Sequence, residues 1–223
     1  MVQYGRSDPQ RQTAFPIAAA GYPFIGAAGF TTAVFALLGL TAAALIGLVA
    51  TGCICMFFRD PDRVVPNGPG VVVSPADGRV IKAETVDNTP YFDGRCRKIS
   101  VFMSVLNVHV NRVPHEGRIE KISYHPGKFV SANLDKASAE NEHNAVFLQT
   151  DRGDRICFVQ IAGLVARRIL CDVQAGDRME RGQRFGMICF GSRLDVYLPL
   201  ETELVVNIGD KVQSGHSVLG VLP

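Results

Sequence analysis

The sequence predicts a mainly β (α+β) protein in which a β-rich domain follows an N-terminal hydrophobic helical membrane anchor. Three observations predict it. Ala14 to Phe58 contains no charged residue. After Arg59 come short Val- and Ile-rich stretches bounded by Asp-Gly, Pro-Gly and Arg-Gly. Near the C-terminus, one stretch of chain is repeated.

Residues 1–13 form a polar N-terminus carrying Arg6, Asp8 and Arg11. The anchor, 14–58, is about 45 residues long, whereas a spanning helix needs roughly 20, so it suits one span with slack or a helical hairpin. Gly21, Pro23 and Gly26 are expected to break its first half, leaving Phe30 to Phe58 as the continuous part. A cleaved signal peptide fits less well, because its apolar core is typically about 7 to 15 residues and a small-residue cleavage site follows. Arginines flank both ends, so the positive-inside rule gives no orientation, and a hairpin would leave both ends on the cytoplasmic side.

The 6 cysteines are scattered, apart from Cys53 and Cys55 in the apolar run. Neither a disulfide framework nor metal-ligand spacing emerges, so no metal is expected. Reduced thiols favour the cytoplasmic face of the cell membrane. A net charge of +2 without a basic stripe argues against a nucleic-acid partner. A homo-oligomer is compatible with all of this.

Residues 59–223 are expected to form the β-rich domain, entered through the Pro/Gly-rich "FFRDPDRVVPNGPG". The polar stretch "NLDKASAENEHN", residues 133–144, is the best candidate for a loop or short helix. In the repeat, Val173 to Ile188 matches Val206 to Val221 position by position: Gly176 with Gly209, Asp177 with Asp210, Met179 with Val212, Gly182 with Gly215. Such a pair resembles the barrel-sandwich arrangement of lipoyl and biotinyl carrier domains, whose central hairpin displays a modified lysine. Here the corresponding connection is expected to display Gly191-Ser192.

A serine after glycine at an exposed, strained turn has a particular chemistry open to it. Its hydroxyl can attack the preceding carbonyl to give an ester, and elimination and hydrolysis then leave a pyruvoyl group and ammonia. Glycine permits the bend. The step needs a base and a carboxylate to orient it. His109 is the histidine of choice: in "LNVHVNRV" strand alternation puts Leu106, Val108 and Val110 on one face and Asn107, His109 and Asn111 on the other. Asp77, in "SPADGRV", is a natural turn residue and the candidate acid.

These residues belong to an ordered set: "GYPF", "FFRDPDRVVP", "SPADGRV", "MSVLNVHVNRVP", "HPGKF", Asn141-Glu142 and "FGSRLDVYLP". The set resembles phosphatidylserine decarboxylase proenzymes of the short bacterial and archaeal type over nearly the whole chain. The resemblance implies self-cleavage between Gly191 and Ser192 into a β chain, 1–191, and an α chain, 192–223, that begins with a covalent pyruvoyl cofactor derived from Ser192. His109 would be the base and Asp77 would hold its tautomer. The pyruvoyl ketone would form a Schiff base with phosphatidylserine and release carbon dioxide and phosphatidylethanolamine, a step of phospholipid biosynthesis at the lipid bilayer. Longer members carry Leu-Gly-Ser-Thr where this chain has Phe-Gly-Ser-Arg, and a second histidine where it has Arg112. Either His109 serves both histidine roles here or Arg112 takes one of them. A membrane-fusion adaptor would need a long heptad hairpin between the repeat halves, and a carrier domain would need a lysine at the tip; neither is present.

Overall fold

The computed structural model describes residues 3–7, 16–127, 141–163, 168–189 and 191–223, the first of these by backbone alone. Most of the loop candidate at 133–144 lies outside the described residues. The chain divides into two compact units, Gln10–Asp62 and Met1–Pro9 with Arg63–Pro223.

In the first unit a short 3-10 turn, Ala19–Gly21, leads into α1 (Tyr22–Leu37), and α2 (Thr41–Phe57) follows. The apolar segment is therefore a helical hairpin, and its break is not where Gly21, Pro23 and Gly26 were expected to put it. Pro23 sits in the first turn of α1, where a missing N–H costs nothing, and Gly26 is accommodated within the helix. The chain turns at Gly39, whose φ is +70°. The helices meet at Gly47, where a Cβ would lie 2.5 Å from Thr32 Oγ1, and at a Thr32–Thr51 hydroxyl contact of 3.4 Å. Thr32 and Thr51 each also donate to the carbonyl four residues earlier, at 2.8 Å. Their hydroxyls are thus satisfied without water, while Phe30, Leu37, Ile46 and Val49 face outward. Ala19–Leu37 is long and apolar enough to cross a membrane; Thr41–Phe57 is slightly shorter.

The second unit is β throughout its described residues. Its strands are β1 (Gln3–Ser7), β2 (Val64–Asn67), β3 (Val71–Val73), β4 (Gly78–Val86), β5 (Cys96–Met103), β6 (Val110–Arg112), β7 (Gly117–His125) and β8 (His143–Gln149). They continue with β9 (Arg155–Ala162), β10 (Ile169–Cys171), β11 (Arg178–Met179), β12 (Arg184–Ile188), β13 (Ser192–Pro199), β14 (Glu203–Leu204), β15 (Lys211–Val212) and β16 (Val218–Val221). Eight form one antiparallel sheet in the order β11-β7-β8-β9-β13-β5-β4-β15, and two three-stranded sheets run β10-β12-β6 and β14-β16-β3.

That order reads the same from either end once each strand is matched with its counterpart. Strands β6 to β12 form one continuous half. Strands β3 to β5 with β13 to β16 form the other, and the continuous half is spliced between β5 and β13. The turns carry the equivalence bond for bond. Gly176 N donates to Ile119 O and Gly209 N to Val80 O, at 2.7 and 2.8 Å. Asp177 and Asp210 each cap the amide three residues earlier at 2.8 Å. The repeat also extends beyond the C-terminal pair, because "VVVSPADGRVIK" from Val71 is the counterpart of "VNRVPHEGRIEK" from Val110. One detail of the expected match is corrected. Gly186 lies opposite Asn111 and Gly220 opposite Val72, so the second strands are offset by one residue from the position-by-position alignment. The C-terminal unit holds one additional residue in the turn, 213–217 against 180–183, while both second strands carry the same register shift.

The core lies between the sheets. On β13, Leu194, Val196 and Leu198 face it, while Tyr197 packs in a smaller cluster on the opposite face with Cys96, Ala145 and Val159. Phe158 and Phe185 meet edge to face, with ring centroids 4.8 Å apart. All six cysteines are free thiols.

Candidate active site

Two connections join the halves: Ser104 to His109 between β5 and β6, and Cys189 to Gly191 between β12 and β13. In the continuous half the matching strands, β8 and β9, are closed by a tight turn at Thr150–Asp154, with Thr150 N donating to Asp154 O at 2.9 Å. In the spliced half the matching strands, β5 and β13, are not joined to each other; His109 and Gly191-Ser192 sit at its two joints, while Asp77 lies in the turn between β3 and β4.

Ser192 opens β13, directly opposite Met103 on β5 and Ala162 on β9. It is fully buried, and its hydroxyl finds no hydrogen-bond partner among the described residues. Gly191 has φ +64°, and a Cβ there would meet nothing within 4 Å, so the demand for glycine is conformational rather than steric. Gly191-Ser192 is not the exposed hairpin tip expected from the sequence. Strands β12 and β13 lie in different sheets, and the step between them carries Ser192 into the interior.

The approach to His109 also differs from a continuous alternating strand. Asn107 Oδ1 accepts from Ser104 N and Oγ at 2.9 and 2.7 Å, folding the segment into a turn whose Val105 and Leu106 are exposed. His109 is fully buried, and its carbonyl accepts from Ile188 N at 3.4 Å, four residues before Ser192. Its Nδ1 lies 2.9 Å from the Asn107 carbonyl oxygen. A carbonyl only accepts, so this bond requires the proton on Nδ1 and leaves Nε2 as the basic nitrogen of the neutral ring.

Asp77 is buried in the turn before β4. Oδ1 accepts from Ser214 N at 2.7 Å and Oδ2 from Arg63 Nη2 at 2.8 Å. Ser214 in turn donates its hydroxyl to Pro75 O at 3.1 Å and lies 3.4 Å from Val110 O, while Arg112 N donates to Pro75 O at 3.0 Å. The Asp77 turn is thus docked on β6, next to His109. The symmetry-related position shows what this turn does without a site. There Glu116 holds Arg181 through two bonds, at 2.7 and 2.8 Å, and Arg181 reaches the carbonyls of Pro66 and Gly68. Burial alone would raise the Glu116 pKa, but the Arg181 bonds and nearby His115 bring it below the ordinary value.

Several residues around Ser192 were not anticipated. Asn141 donates to Ala162 O at 2.7 Å, steadying the residue opposite Ser192. Asn144, Gln160 and Asn111 form a buried amide chain beside it. Behind β13, Asp195 is held by Arg193 at 2.9 Å and Lys98 at 3.2 Å. The available signal was the polar residue within an apolar run, as in "CFVQIAG" and "SRLDVYLP".

The sequence model of the phosphatidylserine decarboxylase family matches residues 50–220. The chain is 52% identical to the phosphatidylserine decarboxylase proenzyme of Syntrophus aciditrophicus (strain SB) over 206 residues, covering 92% of this chain and 96% of the relative. It is 50% identical to that of Geotalea uraniireducens (strain Rf4) over 208 residues, 93% and 97% of the two chains. With that of Burkholderia mallei (strain SAVP1) the identity is 49% over 207 residues, 93% and 95%. This chain belongs to the phosphatidylserine decarboxylase family.

Proposed function

We propose that the protein is a carboxy-lyase that converts phosphatidylserine to phosphatidylethanolamine after cutting itself between Gly191 and Ser192. The observation that carries this reading is Ser192 itself: a buried hydroxyl without a partner among the described residues, directly after a positive-φ glycine, at a joint between two halves of the fold. A buried unsatisfied hydroxyl costs about 1–3 kcal/mol. Retaining one at this bond supports a chemical role for it.

In the first step His109 Nε2 takes the hydroxyl proton as Oγ attacks the Gly191 carbonyl carbon. The proton passes to the departing amide nitrogen, and the peptide becomes an ester. The Asn107 carbonyl holds Nδ1 throughout. Asp77 does not take the tautomer-holding role expected of it, since the Asn107 carbonyl fills that place; held by Ser214 and Arg63, it is read as the acid that works with His109. Loss of the Cα proton of residue 192 then expels the Gly191 carboxylate, and water replaces the nitrogen, releasing ammonia.

Residue 192 would thereby become a pyruvoyl group joined to Arg193, and the residues present suit it: a buried unsatisfied hydroxyl to be consumed and open space beside Gly191. When present, that group supplies a ketone for the substrate amine and an adjacent amide that draws off the electrons left by carbon dioxide. In this reading His109 also returns a proton to the substrate's α-carbon. Chain 192–223 would stay bound after the cut, because β13 pairs with β5 on one side and β9 on the other.

Residues 14–58 are read as the anchor and 59–223 as the catalytic domain, a relative of the barrel-sandwich folds. The hairpin's outward apolar side chains support attachment to the cytoplasmic face of the membrane, where a two-chain lipid substrate is confined. Intact mass measurement tests the reading: two chains are expected, the smaller lighter than a Ser192-terminated fragment by the difference between serine and pyruvoyl. The Ser192→Ala variant is expected to remain one inactive polypeptide. A split at the same bond in that variant would assign the nucleophile elsewhere.

A further inference from the structure

Asn111 touches a side chain from each of the two strands that flank Ser192, and its orientation is dictated from a distance. Strand β13 runs between β5 and β9. From β6, Asn111 touches both neighbours: Nδ2 is 3.7 Å from Met103 Sδ on β5, and Oδ1 accepts from Gln160 Nε2 on β9 at 2.9 Å. Met103 is directly opposite Ser192 and Gln160 directly opposite Leu194. Directly opposed residues share a face of the sheet. The Asn111 carboxamide therefore bridges β13 at the Ser192–Leu194 step, on the face that carries the Ser192 hydroxyl.

Which end of the amide faces Ser192 follows from one carbonyl. Leu170 O can only accept, so the Gln160 atom 3.2 Å from it is the nitrogen. Gln160 Oε1 then accepts from Asn144 Nδ2 at 3.2 Å, and Gln160 Nε2 donates to Asn111 Oδ1. With its oxygen occupied on the β9 side, Asn111 directs its N–H donors toward β5, whose Met103 is directly opposite Ser192. The acceptor they find among the described residues is the Met103 thioether, a weak one. Asn111, Gln160 and Ser192 are all fully buried. A relay of amides in the core thus ends in a strong donor with a poor acceptor, beside a hydroxyl with no partner among the described residues.

We propose that Asn111 is the hydrogen-bond donor to Oγ of residue 192 in the second step of self-cleavage. This rests on the reading of Ser192 as the self-cleaving residue. In that step the Cα–H bond gives up its proton to the base, its electron pair forms Cα=Cβ, and the Cβ–Oγ bond breaks. Oγ leaves with the electron pair as one oxygen of the Gly191 carboxylate. The Asn111 N–H stabilises the negative charge that develops there, in a site closed to water, where such a donor is worth about a hundredfold in rate.

The test separates the two steps. Asn111→Leu removes the donor. Asn111→Asp keeps the bond from Gln160 but turns an acceptor toward Oγ. Both are purified in detergent, checked for folding by thermal unfolding, and followed for appearance of the smaller chain. Formation is expected to slow about a hundredfold. The ester forms reversibly, so hydroxylamine added under native conditions is expected to split the uncut variants at Gly191, leaving an unmodified N-terminal Ser192 by mass. Ser192→Ala is expected to resist hydroxylamine. The proposal is overturned if either folded variant matures at the wild-type rate, or if its uncut chain resists hydroxylamine, which would put the block before the ester. A wild-type preparation that stays a single chain would instead refute the self-cleavage reading itself.

Discussion

Replacing Asp195 by alanine is expected to be among the most destabilising single changes outside the hydrophobic core. Its Oδ1 is 2.9 Å from Arg193 Nε and its Oδ2 is 3.1 Å from Arg193 Nη2 and 3.2 Å from Lys98 Nζ. The arginine and aspartate side chains are fully buried, and Lys98 is 11% exposed. Removing the carboxylate leaves two cations side by side in the interior, and breaking a buried pair in this way costs about 3–5 kcal/mol. For a chain of this size that corresponds to a fall in melting temperature of roughly 6–20 °C. The assay is thermal and urea unfolding in detergent, carried out in the Ser192→Ala background so that one uncut chain is compared throughout. The triple variant Lys98→Met/Arg193→Met/Asp195→Leu removes every charge of the cluster and is expected to unfold within about 1 kcal/mol of its parent, since a buried ion pair is often no better than apolar groups of the same volume. A loss below about 1 kcal/mol for Asp195→Ala, or a triple variant as unstable as the single, would refute the reasoning.

Gly117→Ala is expected to cost about 3 kcal/mol, because the new Cβ would lie 2.3 Å from Gln149 O, a backbone atom that moves only with its strand. An unchanged denaturation midpoint would count against the strand packing described here. Glu116 has a folded pKa below its ordinary value of 4.5, so its contribution is present above that value and lost as pH falls through the lower folded one. Glu116→Gln is therefore expected to be less stable than wild type at neutral pH, with the difference shrinking below about pH 4.5. It should be small, since the carboxylate is 44% exposed and screened by solvent. Unfolding measured from neutral to acid pH checks this, and a difference that grows on acidification would contradict the sign.

Much of the site was legible in the linear order of residues. Ser192, Gly191, His109 and Asp77 stood out as candidates because turn chemistry, a glycine before a serine and a polar residue in an apolar run are local signals. The apolar helical segment was legible for the same reason: an uncharged stretch of that length needs no tertiary information. Its internal break was misread, since glycine and proline interrupt a helix only where they lose a hydrogen bond or a packing partner, and Pro23 in a first turn loses neither. The exposed hairpin tip at Gly191-Ser192 was misread because a short Gly-Ser step between two apolar runs looks the same whether the runs pair or enter different sheets.

The sequence by itself determined the β-rich composition of residues 59–223, the uncharged apolar segment before it, the C-terminal repeat and the family. Only the tertiary structure decided that one half of the fold is spliced into the other, that His109 and Ser192 lie at the two joints, and that Asn111 is oriented by a carbonyl from β10. Those features depend on which strands lie side by side. Strand pairing over long separations is set by the global register of the sheet, and no local stretch of sequence records its partner.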